Sequence, residues 1–241
     1  MRISNKEYVK FSKQIILKKF GFIGQKKIKS SKVLIIGMGG LGCPLSIYLA
    51  SLGIGTIGIV DNDKVELSNL NRQIIYNIKD IGKFKINVAK RKIKEINNKT
   101  KVKSYRIRVN KKNIGKLIKN FDIICDGTDN FETRLMINDS SLKQKKILIS
   151  AAVSGFDGHI FKFDFKKKNP CYRCFMPEIP LQNYNCGTEG VTPTITGIIG
   201  TLQANEVLNS ILGFKSDMEK KMIIFDSIKM NLRKVTLSIN K

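Results

Sequence analysis

The sequence predicts an α/β protein with a doubly wound, mainly parallel sheet and an antiparallel C-terminal extension of that sheet. Three observations predict it. Short β-branched runs alternate with helical stretches as far as residue 150. A glycine cluster, Gly37-Met38-Gly39-Gly40-Leu41-Gly42, follows the first such run and opens a helix. Beyond residue 150, residues 159–165 alternate apolar and polar positions. Strands separated by helices pair in parallel, whereas a half-buried alternating strand suits antiparallel pairing.

Taken in order, residues 4–20 set Tyr8, Phe11, Ile15 and Ile16 among charges, which suits a short surface helix. Residues 32–36 are the first strand, 44–52 a helix and 56–60 the second strand. A helix over 84–96 and strands over 102–109 and 121–125 follow, then a helix over 130–142 and a short buried strand over 147–150. Residues 159–165 alternate as an antiparallel strand does. Residues 169–194 are rich in Cys, Pro, Gly and Asn without a period, and read as a long functional loop. A helix over 195–212 and strands over 222–225 and 232–239 complete the chain. No repeat appears, so one domain is expected over residues 1–241. It has a helical arm at 1–20, a Rossmann-like nucleotide-binding half at 30–150 and a second half at 151–241.

An apolar fraction of 42% suits a globular protein rather than a disordered one. No stretch approaches the roughly 18 apolar residues of a membrane helix, and residues 1–10 lack the apolar core of a signal peptide. The expectation is a soluble cytoplasmic protein without a membrane partner. The formal charge of +25 invites a nucleic-acid reading, but 36 of the 44 basic residues are Lys, scattered beside Ile and Asn. A solvated lysine surface, and no nucleic-acid partner, is expected. Such a field attracts an acidic protein or a nucleotide. The odd count of five cysteines argues for reduced thiols, with Cys43 and Cys125 as packing residues.

The glycine cluster fits G-x-G-x-x-G, and its context suits a phosphate approaching backbone N–H groups at a helix N-terminus. Asp61 lies 19 residues beyond Gly42, near the ~20-residue spacing of a ribose-binding acid. Those two features alone favour a nicotinamide-dependent oxidoreductase. Residues 61–73, DNDKVELSNLNRQ, shift the balance, because Arg grips phosphate oxygens in a fork and Lys acts on them as a point charge. Lys85 then starts a helix, and Asp126-Gly127-Thr128-Asp129-Asn130 follows a buried strand, at the sheet edge where ligands bind. One carboxylate there suits Mg²⁺, which favours oxygen ligands and substrate phosphates.

These motifs, with KQIIL at 13–17, CYRC at 171–174, NCGTEGV at 185–191 and GTLQANE at 200–206, resemble the ThiF/MoeB/HesA group of ubiquitin-activating-type adenylyltransferases. The resemblance covers about residues 4–237. GFDG at 155–158, the length of the loop after CYRC, and GTLQA look more like ThiF than MoeB.

The resemblance implies a function and a site. Gly37, Gly39, Gly40 and Gly42 would cradle ATP, Asp61 would hold the ribose, and Asn69, Arg72 and Lys85 would contact the phosphates. Asp129 would bind Mg²⁺ and support the chemistry. The C-terminal glycine carboxylate of a ThiS-like, ubiquitin-like sulfur carrier ending in Gly-Gly would attack the α-phosphorus, releasing pyrophosphate, as a step toward the thiamine thiazole. The carboxylate is already ionised, so no general base is needed, and the single histidine, His159, reads as structural. A homodimer is implied, in which an N-terminal Arg reaches the partner's ATP site; here that position is Lys13, which lacks the planar fork. A sulfur donor, such as a cysteine desulfurase or rhodanese-like protein, is a further implied partner. Cys186 matches a thiol that links covalently to the carrier; an ordinary exposed loop thiol is the other reading. Cys171 and Cys174 match half of a structural zinc site completed by a second CxxC near the C-terminus. No second pair precedes Lys241, so no zinc, or a weakened site, is expected. The alternatives are the MoeB-type reaction on the molybdopterin synthase small subunit, a non-catalytic carrier-binding scaffold, and the oxidoreductase.

Overall fold

The computed structural model describes residues 3–177, 190–216 and 218–239. Its centre is an eight-stranded sheet in the order β3-β2-β1-β4-β5-β6-β7-β8. The strands are β1 (Lys32–Ile36), β2 (Thr56–Val60), β3 (Lys101–Tyr105), β4 (Ile123–Asp126), β5 (Ile147–Ser154), β6 (Asp157–Asp164), β7 (Lys221–Asp226) and β8 (Asn231–Thr236). The first five pair in parallel and the last three add on antiparallel, as the sequence pattern predicts.

Every residue of β4 is buried, and so is β1 beyond Lys32, because helices cover both faces. Alternate residues of β1 feed separate cores. Val33 and Ile35 join one core with residues of α3 (Gly42–Leu52), α4 (Lys85–Ile96) and the long α8 (Pro193–Leu212). Leu34 and Ile36 join the other, with residues of α5 (Ile114–Lys119) and α6 (Phe131–Lys143). The short α7 (Tyr172–Phe175) packs Tyr172 and Phe175 against Phe161 of β6. Two helices, α1 (Asn5–Ile15) and α2 (Gly21–Ser30), form the N-terminal arm, and α2 packs on α8. Among the described residues no helix is long and apolar enough to cross a membrane.

The structure departs from the sequence pattern in several places. The pattern gave neither α2 nor α5. In α2 the buried positions are Gly24, Gln25 and Ile28, a narrow face with one apolar side chain. A Cβ on Gly24 would sit 3.1 Å from Leu212, so this glycine lets α2 approach α8 closely. β5 runs to Ser154 rather than residue 150, because it pairs with β6 as far as the turn at Gly155 and Phe156. β3 ends at Tyr105 rather than 109, and β8 at Thr236 rather than 239. The stretch 169–194 is not all loop: it holds α7 and the first two residues of α8, while residues 178–189 lie outside the described residues.

Ser4 caps α1. Its hydroxyl accepts from the Glu7 amide at 3.3 Å, and Glu7 Oε2 accepts from the Ser4 amide at 2.9 Å. Ser4→Ala is expected to lower unfolding free energy by about 1 kcal/mol. Urea titration checks this, and an unchanged midpoint would show that α1 frays independently of the core.

Candidate active site

The glycine turn sits where β1 meets α3. Gly37 has φ +92°, and its N–H donates to Val60 O at 2.9 Å. A Cβ on Gly42 would lie 2.1 Å from Gly37 O, so only glycine permits the turn to close on itself. Asp61, just past β2, fastens this turn: Oδ2 accepts from the Met38 amide and Oδ1 from the Asp63 amide, both at 2.8 Å. Burial pushes the Asp61 carboxyl above its usual value, opposed by Lys85 and by these two amides. Tyr76, which the sequence reasoning missed, donates its hydroxyl to Met38 O at 2.9 Å from the far side of the turn.

Lys85 is the first residue of α4 and only 6% exposed; Nζ lies 3.1 Å from Asp63 Oδ2. Arg72 Nη1 donates to Ser68 O and Asn71 Oδ1, both at 3.0 Å. The segment at the end of β4 offers two carboxylates, and the structure separates them. Asp126 is fully buried and accepts from Thr128 N at 3.0 Å, Thr128 Oγ1 at 2.7 Å and Ser150 Oγ at 2.7 Å. Asp129 is exposed, with Asn130 Nδ2 3.5 Å from its Oδ1.

A cavity of about 440 Å³ lies at the C-terminal ends of the parallel strands. Gly37, Gly39, Gly40, Asp61, Arg72, Lys85 and Asp129 all line it. Gln73, Arg108, Arg134 and Thr196 join them, none singled out from the sequence. Its size suits a small ligand, and its mixture of four cations, Arg72, Lys85, Arg108 and Arg134, with backbone amides and carboxylates suits a polyphosphate with a counter-ion. Gly42, Asn69 and Lys13 do not line it. Asn69 is buried, and its carbonyl accepts from the Arg72 and Gln73 amides, so it shapes the segment that carries Arg72. Lys13 is exposed in the last turn of α1. A wider groove of about 1000 Å³ between α5 and α6 holds none of the sequence-derived site residues.

The remaining cysteines divide. Cys43 and Cys125 are fully buried; burial pushes the Cys43 thiol up to about 12, and also raises that of Cys125. Such thiols are inert packing groups. Cys186 lies outside the described residues. Cys171 and Cys174 bring their sulfurs to 3.7 Å. Tetrahedral zinc with Zn–S of about 2.3 Å has an S–S edge of about 3.8 Å, so the pair fits two of four ligands. Among the described residues no group of three or more His, Cys, Asp or Glu side chains is placed to hold a metal.

The ThiF family profile matches residues 11–241. The chain is similar to a probable molybdopterin-synthase adenylyltransferase of Porphyra purpurea, 42% identical over 234 residues, covering 96% of this chain and 61% of that protein. It is also similar to an adenylyltransferase and sulfurtransferase MOCS3 of Culex quinquefasciatus, 38% identical over 238 residues, covering 98% of this chain and 54% of that protein. The chain therefore spans little more than half the length of these relatives. Its fold is that of E. coli MccB bound to MccA-N7isoASN, with a TM-score of 0.86 at 23% identity over 96% of this chain and 73% of that one. PaaA has a TM-score of 0.82 at 21% identity over 98% and 84%.

Proposed function

The chain belongs to the ThiF family, and on that premise we propose that it uses ATP to adenylate the C-terminal glycine of a ubiquitin-like sulfur-carrier protein. One observation carries this reading: the glycine turn, Arg72, Lys85 and Asp129 line a single cavity at the end of the parallel strands. An oxidoreductase has no use for that set of charges beside a ribose acid.

The chemistry follows from charge. Two anions, a carboxylate and a triphosphate, must meet in line, so alignment and neutralisation are the main tasks. The carrier carboxylate is ionised at neutral pH and attacks the α-phosphorus; the bond to the bridging oxygen breaks and pyrophosphate leaves. Backbone N–H groups at the start of α3 meet phosphate oxygens. Arg72 and Lys85 draw charge from them, Lys85 sharing its cation between ligand and Asp63. Asp129 fits a magnesium ion, which takes one or two carboxylates and fills its remaining positions with phosphate oxygens and water. A magnesium ion held there would supply charge neutralisation toward the leaving pyrophosphate.

The names of the similar proteins favour a molybdopterin carrier. The GFDG and GTLQA segments favour a thiamine carrier. The reading extends to a cytoplasmic homodimer in which Lys13 reaches the partner's cavity, and to a sulfur donor acting after adenylation. ATP–pyrophosphate exchange with each carrier tests it. Exchange that requires the molybdopterin carrier is expected, and exchange with only the thiamine carrier would reassign the pathway. ATP binding without exchange would point to another acyl substrate, and no ATP binding would leave a carrier-binding scaffold.

A further inference from the structure

We propose that Arg134 is a positioning residue that sets the Asp126–Thr128 turn so that Asp129 stands at the cavity; this rests on the adenylation reading above. Arg134 lies in the first turns of α6 and is 4% exposed. Its Nη2 donates to Thr128 O at 2.5 Å, and its Nε lies 3.5 Å from Asp126 Oδ2. Nη1 reaches the Tyr172 hydroxyl at 3.4 Å, and the guanidinium lies 5.8 Å from the Tyr172 ring and 6.0 Å from that of Phe131. The guanidinium thus hydrogen-bonds one end of a three-residue turn and forms an ion pair with the carboxylate at the other. The Asp126 carboxylate closes the same turn from inside by accepting from Thr128 N and Oγ1.

Asp129 has little else to fix it. Among the described residues its carboxylate accepts one hydrogen bond, from Asn130 Nδ2 at 3.5 Å. Its backbone is pinned on one side by Thr128, held by Arg134. On the other side Asn130 caps α6, its Oδ1 accepting from the Thr133 amide at 2.9 Å. A buried ion pair such as Arg134–Asp126 adds little net stability over an apolar pair of similar volume. What the fork supplies, and an apolar pair lacks, is a fixed direction for the Thr128 carbonyl.

The test compares Arg134→Lys and Arg134→Met with the wild type in two readouts. The first is the rise in melting temperature on adding ATP, with and without Mg²⁺. The second is exchange kinetics. Expected are an unchanged rise with ATP alone, a smaller additional rise with Mg²⁺, and a kcat lower by about 10–100-fold at nearly constant KM. Arg134→Lys should recover part of the loss, and it carries the test if Arg134→Met fails to fold. Wild-type Mg²⁺ increments and kcat in Arg134→Lys would overturn the proposal. So would a raised KM with kcat intact, since that marks direct nucleotide contact. A wild type that shows the Mg²⁺ increment but no exchange ends the adenylation reading alone; loss of that increment in Arg134→Lys would then still support the positioning role.

Discussion

Replacing Asp129 with alanine is expected to lower carrier-dependent exchange by about 10²–10³-fold, the size of effect seen on deleting one group of a preorganised electrostatic site. The fold should not notice. Asp129 is exposed, and among the described residues its carboxylate accepts one hydrogen bond, from Asn130 Nδ2 at 3.5 Å. The melting temperature should therefore stay at the wild-type value. Asp126, three residues earlier, is the contrasting case: its carboxylate is fully buried and accepts three hydrogen bonds. Its loss should cost stability first and activity as a consequence. Exchange kinetics and thermal melting on both variants separate the two. An Asp129→Ala enzyme as active as the wild type would remove this carboxylate from the chemistry.

Gly42→Ala is expected to abolish nucleotide binding and to destabilise the protein by about 1–3 kcal/mol or more, as overpacking against rigid neighbours does. The new methyl would lie 2.1 Å from Gly37 O and 3.1 Å from its carbonyl carbon. Both are backbone atoms of the same turn, so the turn must open and its amides lose their convergence. Gly39→Ala is the control. Its nearest neighbour would be Gln73 Nε2 at 3.8 Å, ordinary contact. That variant should melt like the wild type, yet bind ATP more weakly, because the methyl enters the cavity wall where phosphate approaches the backbone. Calorimetric ATP titration and thermal melting measure both. Equal losses of stability in the two variants would mean that the glycines serve packing alone.

The residues that could be found from the sequence are those whose roles are local. The turn at 37–42, Asp61 at the end of β2, and Lys85 at the start of α4 are each declared by their immediate neighbours and by the strand–helix alternation. The Cys171–Cys174 spacing likewise brings two sulfurs together without help from the rest of the chain. What escaped is long-range. Gln203 of α8 donates to the Asp126 and Ile149 carbonyls, 77 and 54 residues away, tying the sheet edge to a helix of the second half. Arg134 meets Tyr172 across 38 residues. Only a polar side chain among the apolar positions of a helix face, such as Gln203, hints at such a role beforehand. Asn69 is a further case: its side chain is buried, while Arg72 and Gln73 of the same segment line the cavity. α2 escaped because a helix that touches its neighbour through glycine carries almost no apolar period.

The most direct test of the adenylation reading is the intact mass of a Gly-Gly-terminated carrier after incubation with this protein, ATP and Mg²⁺. A carrier heavier by one AMP, with the increment confined to its C-terminal glycine and lost on treatment with hydroxylamine, is the expected result. An unmodified carrier, under conditions where ATP binding to the protein is demonstrated, would contradict it.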